Sequence, residues 1–172
     1  MARSLSLAAA VSLIAVAACG GTDEGLPGDA VAFDPCQPLL LMPDPSATSA
    51  ERDGIAAGAA LWNAIAGAQL TVAGADALPD PSLPIHFQTA APAFHGFYDA
   101  SHGQVFINTD LGGNAQAVTI AHEIGHAFGL AHVPAGQRAS VMNPGNLNIE
   151  PNADDAGTLA LRWGACREPA YP

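Results

Sequence analysis

The run His122-Glu123-Ile124-Gly125-His126-Ala127-Phe128-Gly129-Leu130-Ala131-His132 constrains this chain more than any other stretch. Residues four apart on a helix share a face, so His122 and His126 can turn both imidazoles toward one metal ion. Glu123 stands beside such a metal rather than on it, where a carboxylate can hold and deprotonate a water. Gly129 permits a backbone conformation that other residues avoid, so the chain can leave the helix there and swing His132 round as a third ligand. Three neutral imidazoles suit zinc and leave a fourth position for water. The pattern therefore predicts one zinc ion on His122, His126 and His132, with Glu123 as general base for peptide-bond hydrolysis. Three histidines placed only for packing would leave the charge of Glu123 without a partner on an apolar helix.

Composition narrows the alternatives. The 172 residues are enough for one domain with a real core. Sixteen acidic residues against five basic ones give a formal net charge of −11, which repels nucleic acid. All five basic residues are arginine, and a chain without lysine performs neither Schiff-base nor Walker-type chemistry. The 49% hydrophobic content reflects alanine and the N-terminal segment, not a membrane protein.

Residues 1–18 read as an export signal: Arg3, then an apolar run from Leu5 to Ala18 that is short for a membrane span and ends in small residues. Val16-Ala17-Ala18-Cys19 resembles the bacterial lipobox, in which the cysteine is lipidated and becomes the new N-terminus. The other reading is an ordinary signal peptide with an incidental cysteine. Both place the mature protein outside the cytoplasm, either anchored by lipid to the cell envelope or secreted. Residues 19–30, rich in Gly and Asp, read as a flexible tether. The folded domain is expected over 31–172, as a monomer that meets the membrane only through its lipid.

Within that domain, Thr48 or Ser49 can cap a helix over Ala50 to Ala68, with Ile55, Ala59, Trp62, Ile65 and Ala66 on its buried stripe. Leu70 to Val72, Pro84 to Gln88 and Gly103 to Asn108 read as strands. Asn114 is a candidate cap for the metal-binding helix, Ala115 to Leu130. A last helix over Asn152 to Trp163 opens with Asp154 and Asp155 at its positive end.

The eleven-residue run resembles that of the metzincin metalloproteases, which add a methionine turn after the third histidine; Ser140-Val141-Met142-Asn143-Pro144 matches that turn. Within that group the chain looks most like the matrixins, on Asp154-Asp155 and Trp163-Gly164 bounding the last helix. Residues Gln104 to Gly164 carry the resemblance, and the helix with Trp62-Asn63 is more loosely similar to the first helix of bacterial matrixin-like proteins. It implies an α+β zincin fold: a twisted mixed sheet, three helices and the zinc site on the central one. It also implies that Met142 packs beneath the imidazoles without ligating, that one of Asp154 and Asp155 braces the methionine turn, and that Gly129 keeps its role.

Departures from the matrixin pattern are plain. Val133 follows the third histidine where serine is usual, and Asn143 and Pro144 stand where related enzymes carry tyrosines, so this turn supplies no tyrosine helper. Asp34-Pro35-Cys36-Gln37-Pro38 is a thin imitation of a latency segment whose thiolate would ligate zinc. The other reading pairs Cys36 with Cys166, since lipidation of Cys19 leaves an even number of cysteines in an exported protein. His95, Asp99 and His102 lie where matrixins carry structural metals, but without the characteristic spacing, so a second metal is not expected. Glu150 or Asp154 could replace His132 as third ligand, although Gly129 and Met142 make that redundant. A polypeptide substrate is expected to lie extended along a free edge of the strand Gln104 to Asn108, with Val133 to Asn148 shaping its side-chain pocket.

Overall fold

The computed structural model describes residues 30–74 and 81–166. The export signal, Cys19 and nearly all of the tether lie outside the described residues. The elements run β1 (Leu39–Pro43), α1 (Ser49–Ala66), β2 (Leu70–Val72), β3 (Ser82–Gln88), β4 (Gly96–Asp99), β5 (Gln104–Asn108), α2 (Gly113–Ala127) and α3 (Ala153–Trp163). Together they make an α+β fold of three helices on a five-stranded mixed sheet. No helix among the described residues is long and apolar enough to cross a membrane.

Helix α1 begins on a reciprocal cap. The Glu51 N–H donates to Thr48 Oγ1 at 3.2 Å, and the Thr48 N–H donates to Glu51 Oε2 at 2.6 Å. It stops at Gly67, whose φ of 65° a side-chain-bearing residue resists. Its inward face is Gly54, Ile55, Gly58, Ala59 and Trp62, and the two glycines let α2 approach: a Cβ on Gly58 would lie 2.9 Å from Ile120. Beyond the helix, the Asn63 side chain clasps Leu70, donating to its carbonyl at 2.9 Å and accepting its N–H at 3.0 Å. That contact sets the short return into β2.

The sheet order is β2-β1-β3-β5-β4, parallel throughout except for β4, which runs antiparallel to β5. Two strands escape the sequence pattern. β1 is an apolar run, Leu39 to Met42 and then Pro43, flanked by β2 and β3, so it shows no strict polar alternation. β4, Gly-Phe-Tyr-Asp, is too short to show a period. Its presence corrects the expected substrate edge. Strand β5 has no free side, because β3 pairs with it at Ile85↔Val105 and β4 at Tyr98↔Val105. The edge of the sheet next to α2 is β4.

Helix α2 runs through the centre of the domain against α1, β4 and β5, buried along nearly its whole length. It starts at Gly113 after Gly112, two residues before the expected start, so Asn114 lies in the first turn and is not the cap. Trp62 and Phe128 meet edge to face at 5.8 Å in the core, and the Trp62 indole N–H donates to the Ala121 carbonyl at 2.8 Å. Cys36 and Cys166 are joined by a disulfide that links the stretch before β1 to the chain beyond α3.

Candidate metal centre

The end of α2 places the first two imidazoles. The helix closes at Ala127, earlier than the expected Leu130, because Gly129 takes a φ of 86°. The Leu130 N–H then bonds to the Gly125 carbonyl at 2.9 Å and the Gly129 N–H to the His126 carbonyl at 2.8 Å, a Schellman closure. This turn reverses the chain and carries His132 back toward the helix face it has just left. Helix α3 covers the same end: the Trp163 indole donates to the Phe128 carbonyl at 2.8 Å, and Arg162 lies over Gly129. A carbonyl that the helix leaves without a partner is thereby satisfied, with a cation beside the negative end of the dipole.

The three Nε2 atoms converge. His122 and His126 are 3.1 Å apart, His126 and His132 3.1 Å, and His122 and His132 3.2 Å. The His122 Nδ1–H donates to the Val141 carbonyl at 2.7 Å and the His126 Nδ1–H to the Leu130 carbonyl at 2.8 Å. A carbonyl only accepts, so each neutral ring keeps its proton on Nδ1 and directs the Nε2 lone pair inward. Lone pairs facing one another at this distance repel, and one proton cannot serve all three nitrogens; a cation can. Ligands held by a tetrahedral ion at about 2.0–2.1 Å are themselves about 3.3 Å apart, close to the observed triangle. Burial and the neighbouring imidazoles lower the His122 pKa to about 4 and that of His126 to about 3, so both rings are neutral at pH 7. These three histidines could hold a metal ion. Glu150 and Asp154 are exposed and stand outside the group, so His132 is the third member.

Glu123 lies beside the triangle against β4. Its carboxyl group is buried, and desolvation raises its pKa to about 8 against a hydrogen bond from the Tyr98 main-chain N–H. Oε2 is buried with no hydrogen-bond partner among the described residues. An orphaned carboxylate oxygen is costly in a core and is what a site that receives a polar ligand leaves behind. The approach of β4 depends on Gly96: a Cβ there would sit 2.8 Å from Glu123 Oε1 and 2.9 Å from Thr119 Cγ2.

The floor is the turn at Ser140 to Asn143. Met142 is buried beneath α2 at Gly125, where a Cβ would run into its Sδ atom. Asp155, not Asp154, braces this turn. Its Oδ1 accepts from Arg138 at 2.7 Å and from Ser140 Oγ at 2.5 Å, and its Oδ2 accepts the Val141 N–H at 3.0 Å and the Asn152 N–H at 3.2 Å. Asp154 is exposed at the start of α3. Asn143 holds the loop from His132 against the turn, donating to the Val133 carbonyl at 2.8 Å and the Arg138 carbonyl at 3.0 Å.

Sequence reasoning missed three participants. Gly125 and Gly96 were invisible because their role is to leave room for residues distant in the chain. His95, grouped with Asp99 and His102, is instead brought next to His122 and Glu123, with which it lines one small cavity. His102 stays with Asp99, its Nδ1 2.7 Å from Asp99 Oδ2 in the β4–β5 turn. Cys36 is bonded to Cys166 and so presents no thiolate to the site. No protein-family model matches the chain and no curated protein matches it, so the chemistry of the site rests on its own geometry.

Proposed function

We propose that the chain is a zinc-dependent endopeptidase of the metzincin type, closest to the matrixins, in which His122, His126 and His132 hold the ion and Glu123 is the general base. The observation that carries this reading is the pairing of a three-imidazole triangle with an adjacent buried carboxylate whose Oε2 has no partner among the described residues. Metal binding alone explains the imidazoles but leaves Glu123 with an uncompensated burial cost. When bound, the zinc supplies an acidified water and polarises the scissile carbonyl. Beside an ion held by the imidazoles, Glu123 would be the ionised carboxylate rather than the neutral acid that burial alone selects. Glu123 Oε2 then takes the proton from the water and passes it to the departing amine nitrogen.

The protein orients rather than reacts elsewhere. Val141 and Leu130 fix the tautomers of His122 and His126. β4, at the edge of the sheet beside Glu123, is the strand to which an extended peptide would add by main-chain hydrogen bonds. The leader over residues 1–18 supports export, and Cys19 supports lipid attachment at the cell envelope.

The test is cleavage of an unstructured protein by the purified, zinc-loaded chain, beside a chelated sample and Glu123→Ala. Cleavage abolished by both supports the reading. A wild type that binds one zinc per chain and cleaves nothing across a diverse peptide library overturns it.

A further inference from the structure

The first turn of α2 faces α1 across a groove of about 440 Å³. Small-molecule sites usually measure about 300–1,000 Å³. From α1 the groove is lined by Asp53, Gly54 and Ala57, and from α2 by Gly113, Asn114 and Gln116. Groove and three-histidine group share α2 but no residue.

Gln116 is only 4% exposed, yet half of its amide is unused. Nε2 donates to the Leu111 carbonyl at 3.0 Å, which fixes the amide, and Oε1 has no hydrogen-bond partner among the described residues. Oε1 lies against Gly54, where a Cβ would run into it, so the oxygen sits between the two helices on the floor of the groove. A buried amide oxygen held this way is costly unless a donor reaches it.

Two further groups of opposite sign flank that oxygen. Gly112 begins α2 without a side-chain cap, and the Gly113 and Asn114 N–H groups have no partner among the described residues, so this end is electropositive. On the α1 side Asp53 is exposed and makes no hydrogen bond or ion pair with a described residue. A lone anion would suit the helix end but meet Asp53 and leave Gln116 Oε1 without a donor. A lone cation would suit Asp53 and Oε1 but face the helix end. A molecule with both charges satisfies all three.

We propose that this groove binds a small zwitterion, a free amino acid or dipeptide. Its carboxylate accepts from the Gly113 and Asn114 N–H groups, and its ammonium donates to Gln116 Oε1 and Asp53. The glycine and alanine walls leave room for a short side chain. The proposal does not rest on the peptidase reading.

The test titrates L-alanine and L-Ala-L-Ala in turn onto the full, isotope-labelled, zinc-loaded protein and follows its amide resonances by NMR. At least one of them should give saturable shifts at Gly113, Asn114 and the Gln116 side chain, complete by about 10 mM. The N-acetylated and amidated forms of that ligand each lack one charge and should bind at least about tenfold more weakly. Gln116→Leu should weaken binding about tenfold. Ala57→Trp, which fills the groove from an exposed position, should abolish it, with zinc content unchanged in both variants. A repeat on the metal-free protein separates the groove from chelation of zinc by the ligand. Shifts confined to His122–His132 and lost with the metal overturn the proposal, as does the absence of any saturable shift. Blocked forms that bind as well as the zwitterion also overturn it. If Gln116→Leu does not fold, Ala57→Trp decides, and undiminished binding there overturns the proposal.

Discussion

The Nδ1–H of His122 donates to the main-chain carbonyl of Val141 at 2.7 Å, and Val141 in turn offers its N–H to Asp155 Oδ2 at 3.0 Å. One residue of the turn therefore links the start of α3 to the tautomer of an imidazole in the three-histidine group. The brace is a buried carboxylate with four hydrogen-bond donors, one of them the Arg138 guanidinium. A histidine whose far nitrogen is held in this way loses orientation when the holder shifts.

Asp155→Ala should therefore damage both stability and metal binding. Removing the acceptor leaves Ser140, Val141 and Arg138 without their partner, a cost of about 3–5 kcal/mol. Metal affinity should fall by about 10–100-fold in whatever fraction remains folded. Urea melts and a chelator competition measure the two effects, and Asp154→Ala, at an exposed position, should change neither by more than about 0.5 kcal/mol.

Gly125→Ala tests the fit of the floor. Alanine is the better helix former by about 1 kcal/mol, yet its methyl group meets Met142 Sδ and Trp62. Overpacking should win, with a net loss of about 1–3 kcal/mol in chemical denaturation. Adding Met142→Ala should cost less in that background than in wild type, because the collision has been removed.

The buried carboxyl group of Glu123 makes a pH-dependent prediction for the metal-free protein. Its pKa is raised from 4.5 to about 8, so the native state binds the extra proton between these values. The associated stability is complete below pH 4.5 and is lost as pH rises through about 8. Glu123→Gln cannot ionise and avoids that loss. The variant should gain on wild type by on the order of 1–3 kcal/mol between pH 5 and pH 9, read from urea melts in chelator. A second trend remains in the variant. His122 and His126 are depressed to about 4 and 3, so their stabilising contribution is present above pH 6.5 and lost as pH falls toward those values.

The Cys36–Cys166 bond closes a loop with a sequence separation of 130. Constraining so much of the unfolded chain should contribute about 2–5 kcal/mol. Thermal melts with and without reductant, beside the Cys36→Ser/Cys166→Ser double variant, measure it. The reduced wild type and the double variant should agree.

Much of the metal centre was legible because it is local. The offsets among His122, His126, Gly129 and His132 span one helix end, and helix geometry with a positive-φ glycine dictates that they converge. The last helix was similarly readable from Asn152 to Trp163, since its cap and acidic first turn are adjacent in sequence. Boundaries moved where no side chain marks them, as at Gly112, which begins α2 without a side-chain cap.

By itself, then, the sequence determined the donor set, the neighbouring carboxylate, the helices that carry them and the most regular strand, all through short-range periodicity and backbone preference. Tertiary structure alone decided that β4 and not β5 forms the edge, that Asp155 and not Asp154 braces the turn, and that Gly96 and Gly125 must lack side chains. It also carried His95 to the side of Glu123. Each of these joins residues far apart in the chain, and the partner in such a contact is set by packing and strand order, which leave no period in the sequence to read.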